Sequence, residues 1–111
     1  MECIFCKIAS GEFGTEFLFA DANVVAFRDL TPQAPTHILI IPRNHHEDVD
    51  HLAVAEPATL AQLFQVATAL AAQEGLTGHR TVFNTGESAG QSVFHAHLHL
   101  LGGRSFAWPP G

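Results

Sequence analysis

His95-Ala96-His97-Leu98-His99-Leu100-Leu101 is the stretch on which the reading of this chain turns. Extended backbone sends successive side chains to opposite faces, so a strand here carries His95, His97 and His99 on one side and Ala96, Leu98 and Leu100 on the other. One face is a row of imidazoles and its back is core. Same-face neighbours in a strand lie about 6.5–7 Å apart, a gap that a phosphoryl group fills, with one ring attacking and the next contacting its oxygens. Imidazole suits the task because an ordinary pKa of about 6.5 leaves it largely neutral and nucleophilic near pH 7. A neighbouring imidazolium would stabilise phosphate charge. A lone histidine is ordinarily solvated or a hydrogen-bonded core residue. Three in register on an apolar strand need a purpose.

Working outward, Gly86, Gly90, Gln91 and Ser92 precede the row, and glycines there permit backbone N–H groups to converge on an anion. The spacing predicts strands over residues 93–101 and 80–84, separated by the loop 85–91. Leu60, Leu63, Phe64, Ala67, Leu70 and Ala71 recur at three- and four-residue intervals between Pro57 and Gly75, which predicts one amphipathic helix over residues 56–75. The near-continuous apolar run 37–41, closed by Pro42, reads as a central strand, and residues 17–20 and 24–28 as a hairpin about Asp21, Ala22 and Asn23. Strands around one long helix, without βαβ alternation, predict an α+β domain on an antiparallel sheet.

The 111 residues fit one domain, 1–111. With 47% hydrophobic and 14% charged residues the chain buries a core, which excludes a disordered reading. A net charge of −6 repels long polyanions and argues against gripping a nucleic acid polymer, but leaves room for a single nucleotide. No segment reads as a leader or a membrane span, so the expected setting is the cytoplasm, with no membrane partner. A metal competes with phosphate for the histidines: His-x-His can supply two zinc positions, completed by Cys3, Cys6, His37 or His45. Spacing alone leaves both readings open.

Gln91-Ser92-Val93-Phe94-His95-Ala96-His97-Leu98-His99-Leu100-Leu101-Gly102-Gly103 resembles the histidine-triad (HIT) superfamily, in particular its Hint branch. Further matches run through Cys3-Ile4-Phe5-Cys6-Lys7-Ile8, Ala26-Phe27-Arg28-Asp29-Leu30-Thr31-Pro32, Ala34-Pro35-Thr36-His37, Ile41-Pro42 and Trp108-Pro109-Pro110-Gly111. The resemblance implies a HIT-like α+β fold: a five-stranded antiparallel sheet with one long and one short helix, extended across a homodimer. It implies hydrolysis of purine nucleoside 5′-phosphoramidates, such as adenosine phosphoramidate or aminoacyl adenylates, without an organic cofactor.

By the same resemblance His97 is the nucleophile, His99 contacts phosphate oxygens, and His95 and His37 orient His97 and help move protons. Ser92, Gln91 and Asn84 lie on the phosphate side, and Asp29 binds the ribose hydroxyls. Ile4, Phe5, Ile8, Phe27 and Leu30 match the family's apolar slot for the base. Trp108 reaches the leaving-group side of the neighbouring subunit. Cys3, Cys6, His45 and His95 match a structural zinc site of bacterial relatives, closed because four protein ligands leave no place for water. Read from the residues alone, Asp29 merely caps a turn, the slot residues are core, and the thiols are reduced cysteines beside a solvated loop at residues 45–48. Two other activities remain open: dinucleoside polyphosphate hydrolysis, and nucleotide binding without turnover. Ala96 stands where the family usually has a bulkier residue, pointing away from the imidazoles. His99, rather than the glutamine of the transferase branch, favours hydrolysis over transfer.

Overall fold

The computed structural model describes residues 2–111. The elements follow in the order α1 (Ile4–Ala9), β1 (Phe19–Ala20), β2 (Val24–Arg28), β3 (Thr36–Pro42), α2 (Val49–Ala55), α3 (Pro57–Gln73), β4 (His79–Val82), a 3-10 turn at Glu87–Ala89 and β5 (Leu98–Gly102). The strands form one five-stranded sheet in the order β1-β2-β3-β5-β4, every pairing antiparallel. Among the described residues no helix is long and apolar enough to cross a membrane.

All seven residues of β3 are buried, because helices cover both sides of the sheet. Ile38 and Ile40 pack with Leu98 and Leu100 beneath Leu63, Val66, Ala67 and Leu70 of α3. On the opposite face Leu39 and Ile41 join Val25 and Phe27 under Phe5 and Ala9 of α1. His37 and His99 alternate onto the α1 face. Register sets His37 opposite Leu101 and Leu39 opposite His99, so the two imidazoles are diagonal neighbours.

Two sequence expectations need correction. The helical complement is one long and two short helices plus the 3-10 turn, not one long and one short. The missed α2 buries only Leu52 and so carries no apolar stripe; its legible signal is Asp48, whose carboxylate caps the His51 N–H at 3.0 Å. The final strand begins at Leu98 rather than at 93. Continued pairing would set Ala96 opposite Pro42, which has no N–H to donate. Instead the Ala96 N–H goes to the His46 carbonyl at 2.8 Å. His95 and His97 therefore precede the strand, and only His99 belongs to it.

Candidate active site

A cleft of about 310 Å³ opens between α1 and the sheet. Ile4, Phe5 and Ile8 of α1 face Phe27, Leu30 and Leu39 across it, with Asp29, Ser92, Val93, His97 and His99 completing the walls. The five apolar residues expected at a base slot thus all line one cavity. Leu39 was missed in the sequence, although alternation from His37 along β3 places it on the same face.

The three histidines do not stand abreast. His97 and His99 remain neighbours, with ring centroids 4.9 Å apart, whereas the His95 ring is fully buried and turned toward Cys3 and Cys6. His95 addresses His97 through its backbone: the His97 Nδ1 lies 2.8 Å from the His95 carbonyl oxygen. A carbonyl only accepts, so Nδ1 carries the proton and Nε2 keeps its lone pair. Phe5 stands edge-on against the same ring, centroid to centroid 5.0 Å. His97 is only 7% exposed, yet it lines the cleft.

A second chain of hydrogen bonds fixes the other imidazoles. The Gln33 backbone N–H donates to His37 Nδ1 at 3.0 Å, which leaves the His37 proton on Nε2. That Nε2 lies 2.9 Å from His99 Nδ1, so His99 accepts there and carries its own proton on Nε2. Among the described residues, His99 Nε2 is the buried side-chain nitrogen or oxygen without a partner. Burial, then the neighbouring His97 and His37, push the His99 pKa down to about 4. His37 and His97 are also lowered by burial, opposed by Asp29 at His37 and by the His95 carbonyl, then Asp29, at His97. All three rings thus favour the neutral form near pH 7.

Asp29 caps a turn, as the residues alone read, and it also lines the cleft. Its Oδ1 accepts the Thr31 N–H at 2.8 Å as a turn cap, while its Oδ2 stands 3.4 Å from His37 Nε2 in the cleft wall. The glycine loop departs from expectation. Gly86 and Gly90 take positive φ values of 89° and 94°, but the Gly86, Gly90 and Gln91 N–H groups close on Gln91 Oε1, the Glu87 carbonyl and the Gly86 carbonyl. They fold the loop upon itself and form no anion cradle. The Gln91 amide, 3% exposed, also donates to the Glu47 and Val93 carbonyls, so it braces the segment leading to Ser92. Asn84 is not among the residues lining the cleft, and neither is Trp108, which is 84% exposed on the tail.

Behind α1, Cys3, Cys6, His45 and His95 bring their donor atoms within 4.8 Å of one another. His95 Nδ1 lies 3.3 Å from Cys3 Sγ and 3.5 Å from Cys6 Sγ, and His45 Nδ1 lies 3.5 Å from Cys6 Sγ. Zinc bonds of about 2.3 Å to sulfur and about 2.0–2.1 Å to nitrogen place adjacent tetrahedral ligands about 3.3–3.8 Å apart, so the cluster fits such an ion. Tautomer agrees: His95 Nε2 donates to the Pro42 carbonyl at 2.8 Å, which turns the Nδ1 lone pair toward the sulfurs. Without a cation, burial and the adjacent Cys3 push the Cys6 thiol up to about 11.

Comparison with known proteins agrees with this architecture. The chain is 50% identical over 112 aligned positions to a protein of Zea mays named 14 kDa zinc-binding protein, spanning 97% of this chain and 87% of the relative. It is 46% identical to a protein of Arabidopsis thaliana named adenylylsulfatase HINT1, spanning 97% and 76% respectively. A crystal structure of a HIT family hydrolase from Legionella pneumophila superposes with a TM-score of 0.94 at 49% identity, covering 99% of this chain and all of the other. The family model described as HIT domain matches residues 10–106, and the chain belongs to that family.

Proposed function

We propose that this protein is a hydrolase of purine nucleoside 5′-phosphoramidates, acting in the cytoplasm. The observation that carries the reading is the pair of opposed tautomers: His97 offers a lone pair on Nε2 while His99 offers an otherwise unpartnered N–H beside it. That is a nucleophile next to a donor for the phosphoryl oxygens, both held before substrate arrives. Nε2 of His97 bonds to phosphorus, the P–N bond breaks, and the amine leaves, protonated by solvent. Water then attacks phosphorus and releases the nucleoside monophosphate, restoring His97.

Asp29 accepts from the ribose hydroxyls and the apolar slot takes the base, so the α-phosphorus comes to the histidines. Ser92, at the cleft wall, contacts the phosphate or leaving group; Gln91 supports Ser92 from beneath, and Asn84 acts from outside the slot. Cys3, Cys6, His45 and His95 would hold a structural zinc, supplying cross-links between α1 and the segments that follow β3 and precede β5. Two copies pair, with Trp108 reaching the partner's leaving-group side.

A second reading, hydrolysis of adenylyl sulfate, is favoured by the name of the Arabidopsis relative. Rapid quench with each substrate, followed by mass spectrometry of the protein, tests both. The expected result is a nucleotidyl adduct on His97 from adenosine phosphoramidate, absent in His97→Ala. A His97→Ala protein with wild-type turnover overturns the mechanism.

A further inference from the structure

The His95–Ala96 peptide unit is planar and rigid. Its C=O accepts the His97 Nδ1–H at 2.8 Å, and its N–H donates to the His46 carbonyl at 2.8 Å. One plane therefore connects His46 to the ring of His97. The His46 side chain is itself clasped: Nε2 meets Glu56 Oε2 at 2.5 Å, and Asn44 Nδ2 donates to the same carboxylate at 3.2–3.3 Å. Glu56 sits at the junction of α2 and α3, its N–H bonded to the Leu52 carbonyl at 2.8 Å, and its side chain makes no helix-capping bond. The carboxylate is thus mounted on two helices and directed at the loop.

From this arrangement we propose that Glu56 and His46 are positioning residues for His97: the Glu56–His46 clasp fixes the loop carbonyl that holds the His95–Ala96 plane, and that plane fixes the tautomer and aim of the nucleophile. The proposal rests on the reading of His97 as nucleophile. It concerns residues that touch neither substrate nor cleft, since neither His46 nor Glu56 lines it. The clasp acts by hydrogen bonding, so Glu56→Gln keeps an acceptor for His46 whereas Glu56→Ala removes it.

Misplacing a reacting group by about 1 Å costs about 100-fold in rate, and partial loosening of this mount is expected to cost about tenfold in kcat. In Glu56→Ala, kcat for adenosine phosphoramidate falls by about that factor while KM moves less than about twofold, because base and ribose contacts are untouched. Glu56→Gln restores most of the rate. Nitrogen-15 NMR of the His97 ring gives a reading independent of turnover: Nδ1 protonated and Nε2 bare in the wild type, a tautomer mixture in Glu56→Ala. His46→Phe, which keeps the backbone carbonyl but loses the clasp, shows the same two changes and carries the test if Glu56→Ala does not fold. Wild-type kcat and an unaltered His97 spectrum in a folded clasp variant overturn the proposal. A wild-type protein inert toward the phosphoramidate defeats the functional reading instead, while the NMR comparison still decides the positioning role.

Discussion

A neutral imidazole has one lone pair and one N–H, and whatever touches one nitrogen decides what the other can do. Here the deciding partners are backbone groups whose character cannot change: the His95 carbonyl for His97 and the Gln33 amide for His37. Protonating His99 would set a new N–H at Nδ1 against the His37 N–H only 2.9 Å away. The fold therefore resists charging this pair, in agreement with a His99 pKa of about 4 and a lowered His37. The sign for stability follows. Between the unfolded value of about 6.5 and about 4, the unfolded chain binds protons that the folded chain declines, so stability falls as pH falls through that window and is flat above it. Urea midpoints at pH 7.5 and pH 5 check this, with the lower midpoint expected at pH 5. His99→Gln should show a shallower drop, and an equal drop in that variant would remove His99 as the source.

At the scale of elements, α1 is short, yet one side walls the cleft with Ile4, Phe5 and Ile8 while its start supplies Cys3 and Cys6 to the candidate metal cluster. Donors contributed from α1, the turn after β3 and the segment before β5 would make a bound zinc a fold-stabilising cross-link. Metal analysis of purified protein is expected to give about one zinc per chain, and chelation or Cys6→Ser to lower Tm by several degrees. An unchanged Tm after verified metal loss would contradict the structural assignment. Much of this level was legible in the sequence. The continuous apolar run of β3 and the three-and-four spacing of α3 report directly on burial, and both elements lie where that pattern places them. The alternation His95, His97, His99 predicted three rings in one row, and the structure keeps only His97 and His99 as neighbours of that kind. What displaced His95 from the row is the end of pairing at Ala96, which would face a proline without an N–H, together with thiols far away in sequence. Gln91 and the glycine loop were misread for the same reason: side-chain and backbone partners close locally in three dimensions, and no residue spacing records which donor is already taken.

For the whole molecule, the open question is what covers the outer side of α3 and β4. Pro57–Gln73 contains no charged residue, and Ala58, Ala61, Phe64, Gln65, Thr68 and Ala69 are exposed on it, with Phe64 43% accessible. Phe64 packs edge-on against Phe83, just past β4, at 6.0 Å, which brings the uncharged helix face beside an edge strand. Natural edges are usually defended by charge or covered. A two-fold pairing of two copies would cover both features at once, join β4 to its counterpart and extend the sheet, as expected for a self-complementary patch. The tail is anchored beside this edge: Phe106 lies under the guanidinium groups of Arg80 and Arg104, and Arg80 also holds the Ala107 carbonyl at 3.0 Å, while Trp108 is exposed. Sedimentation equilibrium is expected to return twice the 12.0 kDa chain mass. Phe64→Glu, introducing two like charges at the two-fold contact, should shift the protein to monomer while leaving the interior sheet intact by circular dichroism. If Trp108 works in the partner's cleft, that monomer and Trp108→Ala should share one kinetic defect, and combining them should add little, because each removes the same contact. A wild-type monomer, or additive losses in the double variant, would separate the tail from catalysis in the neighbouring subunit.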